Sequence, residues 1–95
     1  MIYSVEDDQS IRDLVLYALK QAGYEAVGFE SGKEFLEALR QRLPELVLLD
    51  QMLPGMDGFR LLALLRGEER TRHIPVIMLT AKDSEMDKVR SLDAG

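Results

Sequence analysis

Five consecutive residues, Leu46-Val47-Leu48-Leu49-Asp50, constrain this chain most. Four aliphatics with no polar residue among them leave a strand without a solvent face. Such a strand belongs inside a parallel sheet, where helices cover both sides and apolar residues run consecutively rather than alternately. The run then stops on a carboxylate, which is costly to desolvate unless it sits at a sheet edge and has a partner. A turn follows, Leu53-Pro54-Gly55-Met56-Asp57-Gly58, in which Pro54, Gly55 and Gly58 shape the loop that holds Asp50 in place.

The remainder alternates strand and helix. Ile2-Tyr3-Ser4-Val5 is a short apolar strand that runs into Glu6, Asp7 and Asp8. Ile11, Leu14, Val15, Ala18, Leu19 and Ala22 then recur at helical spacing, and Gly23 is a natural stop. Glu25 to Phe29 is a weaker strand, interrupted by Ala26 and Gly28. Ser31 with Glu34 three residues on matches a capping box, so a helix begins there and ends before Pro44. Asp57 caps a third helix marked by Phe59, Leu62 and Leu65 and ending near Arg66-Gly67. A strand at 75 to 79 leads to Thr80, and Met86, Val89 and Leu92 mark a fourth helix. The Leu and Met residues of these helices are expected in the core. Repeated strand–helix units predict an α/β fold, a doubly wound parallel sheet with right-handed crossovers.

That architecture locates a site. Ligands of open α/β sheets collect outside the carboxyl ends of the strands, where strand order reverses. Glu6, Asp7 and Asp8, Asp50 and Thr80 all fall at such ends. Taken singly, each acid is most simply a helix cap, and Asp8 fits that role. Converging acids, however, repel and raise one another's pKa unless a cation holds them. Oxygen donors without His or Cys favour a hard ion such as Mg²⁺. His73 stands in a polar stretch with no acid–base partner beside it and reads as an exposed loop residue.

With these pieces in order, the chain resembles the receiver domain of a two-component response regulator. Val5-Glu6-Asp7-Asp8, Leu48-Leu49-Asp50 with its Pro-Gly-Met-Asp-Gly turn, Pro75-Val76-Ile77-Met78-Leu79-Thr80-Ala81 and the final Leu92-Asp93-Ala94-Gly95 carry the likeness. Their wording is closest to the class with a winged-helix DNA-binding domain after the receiver. The resemblance implies a flavodoxin-like sheet of order 2-1-3-4, with Asp50 as phosphoacceptor for a sensor histidine kinase. It implies Asp7 as a direct Mg²⁺ ligand with Asp50 as a further one (Mn²⁺ being an alternative ion), Glu6 as a ligand through water, and the Met52 carbonyl completing the protein's share. Thr80 and Ala81 would bind the phosphoryl group and switch the fourth-helix loop, while Met52 and Lys82 border access to the acyl phosphate. The domain would be a signalling module rather than an enzyme, limited to self-phosphorylation from a phosphodonor and slow autodephosphorylation. It would be cytoplasmic, homodimeric in its parent protein, and act on DNA only through a separate output domain.

The family pattern continues past Ala94-Gly95 into a fifth strand ending on Lys-Pro and then a fifth helix. Neither Lys82 nor Lys88 replaces that lysine, because both precede the strand. The expectation is therefore a receiver, residues 1–95, incomplete at its C-terminus, with a less stable fold and an open fourth-strand edge.

Composition narrows the other classes. Ninety-five residues, 46% hydrophobic and 31% charged, suit one small domain. A formal charge of −5 argues against a nucleic-acid surface in this segment. No apolar run nears the roughly 18 residues of a membrane span, and no secretory signal is visible. Zero cysteines removes disulfides and thiolate metal sites. A flavin binder needs a donor-rich phosphate loop where this chain has three acids. An aspartyl phosphatase of the haloacid dehalogenase type wants a second Asp at position 52, which is Met. The remaining alternative is a receiver-like module that binds a divalent metal or a protein without being phosphorylated.

Overall fold

The computed structural model describes residues 1–51, 53 and 57–79. Four strands, β1 (Ile2–Val5), β2 (Ala26–Phe29), β3 (Leu46–Asp50) and β4 (Val76–Leu79), form a parallel sheet in the order β2-β1-β3-β4. Three helices connect them: α1 (Gln9–Gln21), α2 (Gly32–Gln41) and α3 (Gly58–Gly67). The expected strand order is therefore observed, and the order reverses between β1 and β3. The expected fourth helix, and with it Met86, Val89 and Leu92, lies outside the described residues. Among the described residues, no helix is long and apolar enough to cross a membrane.

Local chemistry sets the ends of the helices. The side chain of Asp8 accepts the Ile11 N–H at 3.2 Å and starts α1. Gly23, at φ +96°, ends it: the Gly23 N–H reaches the Lys20 carbonyl and the Tyr24 N–H that of Leu19. This double closure requires a left-handed residue, which glycine supplies without strain. Ser31 caps α2 through the Glu34 N–H at 3.3 Å. The return arm differs from a capping box, because Glu34 accepts from the Glu30 N–H, one residue before the cap.

Register decides which residues share a face. Tyr3 stands beside Val27 and Val47, and Val5 beside Phe29 and Leu49, with Val76 and Met78 continuing the rows on β4. On this face Tyr3, Val5, Val47, Leu49, Val76 and Met78 pack with Phe35 and Leu39 of α2 and Leu61, Leu62 and Leu65 of α3. The Tyr3 and Phe29 rings meet edge to face at 5.0 Å. α1 crosses the opposite face, where Ser4, Gly28 and Leu48 stand in register.

Three expectations about the core need correction. α1 has no buried residue: Leu14 is 67% and Ile11 40% exposed, so its apolar stripe rests on the sheet without being enclosed. Leu46 and Leu48 are only half-buried, so β3 is fully covered on one face rather than both. In α3 the inward stripe is Gly58, Leu61, Leu62 and Leu65, while Phe59 is 40% exposed.

Candidate functional site

The site is built where β1 and β3 end side by side. Val5 pairs with Leu49, so Glu6 emerges next to Asp50, and Asp7 follows one peptide later. One carboxylate oxygen from each of Glu6, Asp7 and Asp50 lies within 4.8 Å of the other two. Glu6 and Asp50 are buried, at 6% and 8% exposure, whereas Asp7 faces solvent. Asp8 turns away to cap α1 while its N–H donates to Glu6 Oε2 at 3.1 Å. His73 is exposed in the loop before β4, as expected of it.

Backbone contacts hold this geometry. The Glu6 N–H donates to the Phe29 carbonyl at 3.0 Å, and Arg12 Nη1 donates to the Glu6 carbonyl at 2.7 Å. On the β3 side, the Gln51 N–H reaches the Leu79 carbonyl and the Gly58 N–H reaches the Gln51 carbonyl, both at 2.9 Å. The side chain of Asp57 caps α3 by accepting the Arg60 N–H at 2.8 Å. Gly58 is so close to β3 that a Cβ there would stand 2.2 Å from the Asp50 carbonyl oxygen. The first turn of α3 therefore rests directly on the main chain of Asp50, and only a residue without a side chain fits.

Electrostatics follow from burial and crowding. The Glu6 carboxyl is pushed up from 4.5 to about 7, first by burial and then by the charge of Asp50 and hydrogen bonding with Asp7 and Asp50. The Asp8 N–H works in the opposite direction by stabilising the carboxylate. A group poised this way is readily deprotonated by a cation placed among the three acids. The oxygen-only donor set fits a hard divalent ion.

Met52, Thr80, Ala81 and Lys82 lie outside the described residues. Two bordering residues escaped the sequence reading, Arg12 and Gly28. The signal for Gly28 was present: a glycine inside a strand marks a close approach as readily as a weak strand. A groove of about 410 Å³ lined by Leu36, Leu39, Arg40 and Leu64 runs between α2 and α3 and shares no residue with the acid cluster.

Fold and site together define a class, and comparison with known proteins agrees. The response regulator receiver domain family matches residues 2–95, and the chain belongs to that family. Among individual proteins, it is 44% identical over 94 residues to the phosphate regulon transcriptional regulatory protein PhoB of Klebsiella pneumoniae, covering 99% of this chain and 41% of PhoB. It is 39% identical to the alkaline phosphatase synthesis transcriptional regulatory protein PhoP of Bacillus subtilis, covering 99% of this chain and 38% of PhoP. The chain thus spans about two fifths of the length of these relatives. Among solved structures, a response regulator receiver domain from Methanoculleus marisnigri superposes with a TM-score of 0.85 at 39% identity, covering 98% of this chain and 76% of that one. The BeF3-activated receiver domain of Klebsiella pneumoniae RstA gives a TM-score of 0.81 at 37% identity, covering 99% and 78%.

Proposed function

We propose that this chain is a phosphoacceptor module that takes a phosphoryl group onto Asp50 with the help of Mg²⁺. The observation that carries this reading is the meeting of Glu6, Asp7 and Asp50 within 4.8 Å at the switch point of the sheet. A carboxylate oxygen of Asp50 attacks phosphorus, an aspartyl phosphate forms, and the donor's bond to phosphorus breaks with its electron pair leaving on the donor. For a sensor histidine kinase the broken bond is P–N, and the imidazole regains its neutral form. Two negative partners must approach in line, so the chemistry Mg²⁺ supplies is charge neutralisation and orientation. Asp7, Asp50 and the Met52 carbonyl would hold the ion, with Glu6 acting through water. Thr80 and Ala81 receive the transferred group, and Met52 and Lys82 govern how water reaches the acyl phosphate.

The partner is accordingly a histidine kinase, and the output is transcription, in line with PhoB and PhoP being named transcriptional regulatory proteins; it runs through a DNA-binding domain elsewhere in a homodimeric parent protein. The test is intact-mass spectrometry after incubation with acetyl phosphate and Mg²⁺. One phosphoryl adduct is expected on the unmodified protein and none on Asp50→Asn. An equal yield in both proteins would reject Asp50 as the acceptor.

A further inference from the structure

We infer that Arg12, seated in a notch made by Gly28, is a positioning residue for the metal pair Glu6 and Asp7. This rests on the phosphoacceptor reading and adds residues to it that touch neither metal nor phosphate. The carbonyl that Arg12 Nη1 grips at 2.7 Å belongs to the peptide unit joining Glu6 to Asp7. A peptide unit is a rigid plane, so holding its oxygen fixes the ψ of Glu6 and the φ of Asp7 together. The preceding peptide unit, Val5–Glu6, is anchored in turn, its Glu6 N–H donating to the Phe29 carbonyl at 3.0 Å. β2 and α1 thus hold Glu6 from two sides, and the exposed Asp7 carboxylate is aimed by the plane that Arg12 pins.

The arm reaches that carbonyl because Gly28 has no side chain. A Cβ at Gly28 would stand 2.9 Å from Arg12 Cγ, Arg12 Cδ and Leu16 Cδ1. Those atoms belong to flexible side chains, so Gly28→Ala would displace the Arg12 arm while leaving the strand intact. Gly28 and Arg12 therefore act as one unit, with the acid pair as its load. A guanidinium suits the task better than an ammonium because its planar fork loses less freedom per hydrogen bond.

The experiment titrates Mg²⁺ into the full-length protein by calorimetry and records melting with EDTA and with Mg²⁺. Arg12→Met, which keeps much of the aliphatic stem, is expected to weaken Mg²⁺ about tenfold, as loss of an outer-shell support does. Its melting temperature in EDTA should change less than the increment that Mg²⁺ adds. Arg12→Lys should restore part of the affinity. Gly28→Ala should weaken Mg²⁺ in the same direction, and should add no further loss in the Arg12→Met background, since both changes remove one interaction. An Mg²⁺ affinity within about twofold of the unmodified protein in Arg12→Met overturns the inference; should that variant not fold, the same result in Gly28→Ala overturns it. No Mg²⁺ binding by the unmodified protein overturns the underlying reading and the inference with it.

Discussion

At the scale of single residues, Glu6, Asp7 and Asp8 are adjacent in the chain yet occupy three environments. Glu6 is buried with its carboxyl raised to about 7, Asp7 is solvent-exposed beside it, and Asp8 is spent on capping α1. Exposure is what makes Asp7 informative. Its replacement by Ala removes no buried contact, so the fold should persist with nearly unchanged melting in EDTA. As the proposed direct ligand, it should nonetheless cost Mg²⁺ affinity about tenfold or more, the scale set by losses of metal support. Calorimetry returning the same affinity for Asp7→Ala and the unmodified protein would show that Asp7 is not a ligand. Asp8→Ala makes the contrast: it should lower stability by about 1 kcal/mol through loss of the cap, with a smaller effect on the ion.

At the scale of elements, the junction of β3 with α3 carries the tightest constraint. A Cβ at Gly58 has only backbone to displace, at 2.2 Å from the Asp50 carbonyl oxygen and 3.0 Å from the Asp50 carbonyl carbon and Gln51 Cα. Gly58→Ala should therefore cost on the order of 2 kcal/mol or more through overpacking, and should impair phosphorylation of Asp50 as well. Gly67→Ala provides the comparison, because nothing lies within 4 Å of its Cβ position. There the greater helix propensity of Ala should stabilise by up to about 1 kcal/mol. Equal melting temperatures and phosphorylation yields for the two variants would remove Gly58 from its proposed place. Caps and stops were legible in the sequence because they depend on neighbours a few residues away: Asp8, Ser31, Asp57 and Gly23 do what their types suggest. The inward side of α3 was not. Its buried stripe begins on Gly58, which contributes no apolar signal, so Phe59 drew the stripe one residue too far round. For α1 the periodicity marked the face toward the sheet without saying how fully that face would be enclosed.

At the scale of the whole molecule, the acid cluster was legible because parallel strands bring their carboxyl ends to one edge, whatever the loops between them do. What was not legible is how the support is assembled: Arg12 of α1 reaches the Glu6 carbonyl past Gly28 of β2, a packing that exists only after β2 has paired with β1. Nor does a sequence tell which of several acids is buried, and that difference gives the protein a pH signature. The carboxyl of Glu6 rises from 4.5 in the unfolded chain to about 7 in the fold, so the folded state favours its protonated form. Its contribution to stability is thus fully present below about 4.5 and is lost as pH rises through 7, an amount of at most roughly 3 kcal/mol. Mg²⁺ reverses the trend, because it binds the carboxylate and must displace the proton. In EDTA, stability from this group should fall between about pH 4.5 and 7 relative to Glu6→Gln, which has no proton to lose there. The stabilisation conferred by Mg²⁺ should be small near pH 5.5 and grow through pH 7 to a plateau, as the linkage of an ion bound only by the folded state requires. In Glu6→Gln that growth should largely disappear. Parallel melting curves against pH for the two proteins, with and without Mg²⁺, would place the proton somewhere other than Glu6.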